Sequence, residues 1–96
     1  MAKPVILTVD DDPEVLGALE RDLRKQYKSG YRIIKCNSAR EGLETVRELK
    51  KRGVPLALFI VDQRMPEMSG TELLKLAIPL YPEASKVLLL APNWVT

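Results

Sequence analysis

Three consecutive carboxylates, Asp10, Asp11 and Asp12, directly follow a short apolar run, and a fourth, Asp62, directly follows another. Carboxylates brought together raise one another's pKa unless something compensates their charge. A hard divalent cation does this: magnesium takes one or two carboxylates, keeps several waters and accepts phosphate oxygens. An aspartate beside such an ion can also act as a nucleophile and form an aspartyl phosphate. Singly, the same residues have plainer readings. Asp12 before Pro13 reads as a helix N-cap with proline at the first helical position. Asp10 and Asp11 read as loop acids, and Asp62 as a turn residue. The two readings part on whether the apolar runs preceding these aspartates lie side by side.

The elements that would position them alternate. Val5 to Val9 is a short strand rich in β-branched residues. Residues 13 to about 28 follow a helical period, with Val15, Leu16, Leu19 and Leu23 on one face and Gly30 at the stop. Tyr31 to Cys36 forms a weaker second strand. Ser38-Ala39-Arg40-Glu41 has the form of a capping box. The helix it opens turns Leu43, Val46 and Leu49 inward and ends near Gly53. Leu56 to Val61 is a continuous apolar run of the kind found in parallel strands buried on both faces. After a loop containing Pro66 and Gly70, a third helix presents Leu73, Leu74, Ala77 and Ile78, with Pro79 near its end. Lys86 to Leu90 is the last strand. The order β-α-β-α-β-α-β implies a parallel sheet with crossover helices. Ligands of such sheets sit at the carboxyl ends of strands, which is where both aspartate features fall.

The 96 residues allow a single domain. With 46% hydrophobic and 29% charged residues and a net charge of +2, the chain reads as globular, and no dense basic stripe marks it for nucleic acid. It has one cysteine and no histidine, which removes an internal disulfide, most zinc sites and any scheme that needs an imidazole. No apolar run approaches the roughly 20 residues of a membrane span, and no signal peptide is visible, so a cytoplasmic location is the expectation. Cys36 reads as an inert core thiol, and Lys50-Lys51-Arg52 as a solvated helix end. Met65 and Met68 read as packing, and Gly70 as relief of a steric constraint at the loop–helix junction.

Val9-Asp10-Asp11-Asp12-Pro13 and Asp62-Gln63-Arg64-Met65-Pro66-Glu67-Met68-Ser69-Gly70 resemble the receiver domains of bacterial response regulators in two-component signalling. The resemblance runs from Pro4 to about Leu90. It implies an α/β, flavodoxin-like receiver fold, a parallel sheet with flanking helices in strand order 2-1-3-4-5. It implies Asp62 as phosphoacceptor, and Mg2+ held by Asp10, Asp11, Asp62 and the backbone carbonyl of Arg64. The implied partners are a sensor histidine kinase as phosphodonor and an output domain or partner protein, with no direct nucleic acid and no membrane contact. The chain would then be a signalling module rather than an enzyme.

Two features depart from the family pattern. The hydroxyl residue at the end of the fourth strand is matched by Leu90, or by Ala91 one register on. The lysine at the end of a fifth strand has no counterpart, since no lysine follows Lys86. On this reading residues 1–96 are one receiver (response regulatory) domain, C-terminally incomplete, lacking the last strand and helices, with the fourth strand as an open edge. A non-switching receiver that serves as an interaction module is the alternative. A haloacid-dehalogenase-type phosphatase, using the Asp-x-Asp of Asp10 and Asp12, is more remote: Glu14 stands where that motif has Thr or Val.

Overall fold

A computed structural model describes residues 3–27 and 29–90. Seven elements follow in alternation: β1 (Val5–Val9), α1 (Pro13–Tyr27), β2 (Arg32–Cys36), α2 (Ala39–Lys51), β3 (Leu56–Asp62), α3 (Gly70–Ala77) and β4 (Ser85–Leu89). The four strands form one parallel sheet in the order β2-β1-β3-β4. The two strands that end in aspartates are therefore neighbours. Val9 pairs with Cys36 on one side and Val61 on the other, so the carboxyl ends of β1, β2 and β3 finish level.

β1 is buried along its whole length, as a central strand covered on both faces must be. On one face Val5, Leu7, Val9, Phe59 and Val61 pack with Leu43, Val46 and Leu49 of α2 and Leu73 and Ala77 of α3. On the other, Ile6 and Ile60 pack with Leu23 of α1, with Leu19, Ile33, Leu58 and Leu89 at the margin. Glu20 ties α1 to β2: its carboxylate meets Lys35 at 2.9 Å and Arg24 at 2.8 Å. The bond from Lys35, then that from Arg24, hold its pKa below the usual carboxylate value. Cys36 is buried against Thr45, and burial pushes its thiol up to about 11, in keeping with an inert core residue.

Several boundaries and faces differ from the sequence expectation. β2 begins at Arg32, not Tyr31, whose ring instead packs edge-on to Tyr27 with centroids 5.1 Å apart. The Ser38 box is half made. Ser38 Oγ accepts the Glu41 N–H, but the Glu41 carboxylate accepts the N–H of Asn37, one residue before the cap. The complete capping box is at Ser69 and Glu72, where both reciprocal bonds form at 3.1 Å. That bond from the Ser69 backbone lowers the Glu72 carboxyl. Ile78, read as part of the apolar side of α3, is the exposed C-cap. Ala57 and Leu58 are only half-buried, because β4 is the edge of the described sheet and the face beside α1 is thinly covered there. β4 closes at Leu89, leaving Leu90 beyond it and 68% exposed. Gly30 lies three residues past the end of α1, while Gly53 ends α2 with φ 71°, the left-handed conformation that glycine adopts without steric cost. Lys50 is not only solvated: its ammonium lies 5.4 Å from the centre of the Tyr81 ring.

Candidate functional site

Asp10 is the first residue past β1, and Asp62 is the last of β3. Because those strands are adjacent and level, one carboxylate oxygen each from Asp10, Asp11 and Asp62 lies within 4.8 Å of the others. The grouping is graded in burial. Asp10 is 4% exposed, Asp62 is half-buried and Asp11 faces solvent. With Asp12, Val15, Leu89 and Leu90 they line an open crevice of about 410 Å³ at the carboxyl edge of the sheet.

The backbone around Asp10 is tightly specified. Its N–H donates to the Cys36 carbonyl at 3.1 Å, and its Oδ1 accepts the Asp12 N–H at 2.9 Å. Burial raises the Asp10 pKa most. The Asp12 N–H lowers it, and the charges of Asp62, Asp11 and Asp12 raise it further. Asp12 has the plainer role expected of it. Its Oδ1 accepts the Glu14 N–H at 2.9 Å and caps α1.

The donor set fits a hard divalent cation. Three carboxylate oxygens converge, one of them on a nearly buried group whose charge burial and its neighbours disfavour, and among the described residues no cationic side chain lines the crevice. Arg64, expected to offer its carbonyl, stands two residues past Asp62 in the loop to α3.

That loop is anchored at both ends. A Cβ on Gly70 would lie 2.5 Å from the Asp62 carbonyl oxygen and 2.8 Å from Leu88, so α3 starts in backbone contact with the strand end. This is the steric constraint read at Gly70. Met65 and Met68 pack against the core, as expected. Sequence reading missed Gln63, whose side chain caps α3, and Glu67, which holds φ 71° and pairs with Arg40 at 3.4 Å. The Gln63 bonds span eight residues, and no local motif signals them.

Leu90 lies on the crevice rim, where the resemblance places a hydroxyl; Ala91, the other register, lies outside the described residues. Lys86 lies at the opposite end of β4, paired with Phe59, and its ammonium donates to the carbonyls of Pro82 and Ala84.

An open parallel sheet with helices on its faces is an α/β fold of the kind whose ligands sit at the carboxyl edge, where these carboxylates gather. The family is set by comparison with known proteins. The model of the response regulator receiver domain matches residues 6–91, and the chain belongs to that family, a family of modules in two-component signalling. It is 40% identical over 70 residues to the two-component response regulator ORR26 of rice, covering 73% of this chain and 11% of that protein. It is 32% identical over 84 residues to the hydrogenase transcriptional regulatory protein HoxA of Cupriavidus necator, covering 88% of this chain and 16% of that one. The chain thus spans between a tenth and a fifth of the length of these relatives. Among solved structures it resembles a CheY-like receiver domain protein from Methanospirillum hungatei, with TM-score 0.76 and 30% identity over 93% of this chain and 65% of the other. Among the described residues no helix is long and apolar enough to cross a membrane.

Proposed function

We propose that residues 1–96 act as the phosphoacceptor domain of a two-component phosphorelay, with Asp62 as the residue modified. The observation that carries this reading is the convergence of Asp10, Asp11 and Asp62 at the ends of two adjacent strands. Asp10, Asp11, Asp62 and the Arg64 carbonyl would hold Mg2+, which when bound neutralises the carboxylates and draws in the phosphoryl oxygens. Asp62 is suited to be the nucleophile because it is half-buried and stands at the crevice, whereas Asp10 is nearly enclosed and its Oδ1 is committed to the Asp12 N–H. A carboxylate oxygen of Asp62 attacks phosphorus, the phosphorus–nitrogen bond of the donor phosphohistidine breaks, and its electron pair leaves with the imidazole. The product is an acyl phosphate on Asp62. The donor is a sensor histidine kinase, the recipient of the signal is an output domain or partner protein, and the protein works in the cytoplasm as a signalling module without turnover of its own.

The test is incubation with acetyl phosphate and Mg2+, followed by intact-mass measurement. One phosphoryl adduct is expected, absent in Asp62→Asn and absent when EDTA replaces Mg2+. An adduct that persists in Asp62→Asn would move the nucleophile elsewhere and overturn the assignment. A second reading, a receiver that takes the group but does not switch, is favoured by one observation: the side chains that β4 and the residue after it bring to the crevice, Leu89 and Leu90, are hydrocarbon.

A further inference from the structure

Gln63 joins three elements at the edge of the acidic crevice. Its backbone N–H donates to the Leu89 carbonyl of β4 at 3.0 Å. Its own carbonyl accepts the Gly70 N–H, also at 3.0 Å. Its side-chain Oε1 accepts both the N–H and the hydroxyl of Thr71, each at 2.8 Å. The direction of the side-chain bond is not arbitrary: a backbone N–H can only donate, so the carbonyl end of the amide must face it. Thr71 stands in the first turn of α3, where helix N–H groups have no partner within the helix, and Gln63 supplies one from the residue next to Asp62.

The consequence is a closed ring of backbone. Residues 64–69 leave Gln63, the first residue after β3, and return to it through Gly70 and Thr71. Asp62 is held on one side of this junction, with its carbonyl against Gly70. Arg64, whose carbonyl the proposed function assigns to the cation, is the first residue inside the ring. We propose that Gln63 is a positioning residue for the metal site: its clamp on Thr71 fixes the backbone that leaves Asp62, so that the Arg64 carbonyl and the Asp62 carboxylate face one cation together. It touches no reacting atom and acts only through its neighbours. This rests on the proposed Mg2+ site.

The experiment compares wild type, Gln63→Leu and Thr71→Val by Mg2+ titration followed through backbone amide shifts, with urea unfolding of the metal-free proteins alongside. Gln63→Leu keeps the bulk and removes the acceptor. Partners that orient metal ligands typically change affinity by ten- to a hundredfold, and a weakening of about tenfold is expected here. Faster hydrogen exchange at the Thr71 amide should accompany it. Thr71→Val removes only the hydroxyl donor, and should weaken binding in the same direction by less, which keeps the test decisive if Gln63→Leu folds poorly. A lowered urea midpoint with unchanged Mg2+ affinity in both variants would reduce Gln63 to a helix cap and overturn the inference alone. Absence of any Mg2+ response in wild type would overturn the metal site and this inference with it.

Discussion

At Asp10, burial and three neighbouring carboxylates act in one direction, and a single backbone N–H acts against them. The sign of the effect on stability follows from linkage. A carboxyl whose folded pKa is raised binds its proton more tightly in the native state than in the unfolded chain. Stability therefore falls as pH rises from the unfolded value of 3.8 through the folded one, and the loss is complete above it. Without a cation, the charged Asp10 opposes folding at neutral pH. Asp10→Asn keeps an oxygen for the Asp12 N–H and removes the charge, so the metal-free variant should unfold at higher urea than wild type at pH 7, with the gap closing as pH falls toward the ordinary carboxyl value. Added Mg2+ should reverse the order. A cation present at about 100 times its dissociation constant stabilises the native state by about 2.7 kcal/mol, and the variant, short of a ligand, should gain much less. Equal urea midpoints at pH 7 without metal would show that Asp10 carries no charge penalty. The aspartates themselves were legible in the chain because each ends an apolar run. Their differing burial was not, since it depends on Asp10 donating to Cys36 across the sheet while Asp11 turns to solvent.

Among the elements, long periodic segments were readable and their margins were not. The inward faces of α1 and α2 and the core of β3 follow from spacing alone, with Leu16, Leu23, Leu43, Val46 and Leu49 buried. The margins depend on contacts far away in the chain. Ile78 continues the apolar pattern of α3, but the helix has closed by then. The capping box at Ser69 and Glu72 is hard to see in the sequence because it lies inside a stretch that Pro66 and Gly70 mark as loop. The same glycine-to-alanine change should have opposite signs at Gly70 and Gly17. Gly70→Ala places a methyl against the Asp62 carbonyl, where the neighbour is backbone and has no room to move. It should cost about 1–3 kcal/mol through overpacking and shift the Asp62 amide. Gly17→Ala, within α1, meets only the end of the Arg21 side chain at 3.6 Å. It should stabilise by up to about 1 kcal/mol, the difference in helix propensity. Urea unfolding of both variants checks the pair. A Gly70→Ala protein as stable as wild type would mean that α3 can lift off the end of β3 without loss.

For the molecule as a whole, the α/β class follows from the alternation of elements, but the order β2-β1-β3-β4, and with it the neighbouring of the two aspartate-ending strands, needed the family resemblance, because spacing alone does not order strands. The remaining question at this scale is whether charge placed on Asp62 is felt across the sheet. β4 lies beside it: Asp62 pairs with Leu89, whose carbonyl takes the Gln63 N–H. A ligand moves a two-state equilibrium only as far as it interacts differently with the two states. An anion on Asp62 needs a hydrogen-bond donor from a neighbouring element to draw that element toward it, and a bond to a charged group is worth about 1.5–3 kcal/mol, or roughly ten- to a hundredfold in a population ratio. On the β4 side the crevice offers the hydrocarbon side chains of Leu89 and Leu90, and Lys86 is held at the far end of the strand. The bond from Gln63 to Leu89 links the end of β3 to β4 through main chain alone. Beryllofluoride with Mg2+, a mimic of the phosphoryl group, should therefore shift amides at Asp10 to Asp12 and from Asp62 through Thr71, where carboxylates, loop and helix start are bonded together. Ser85 to Leu89 should stay close to their unliganded positions, apart from the direct neighbour of Gln63. Shifts running the length of β4 would show that the sheet transmits the signal through its packing alone, and would restore the working-switch reading over that of a receiver uncoupled from its response.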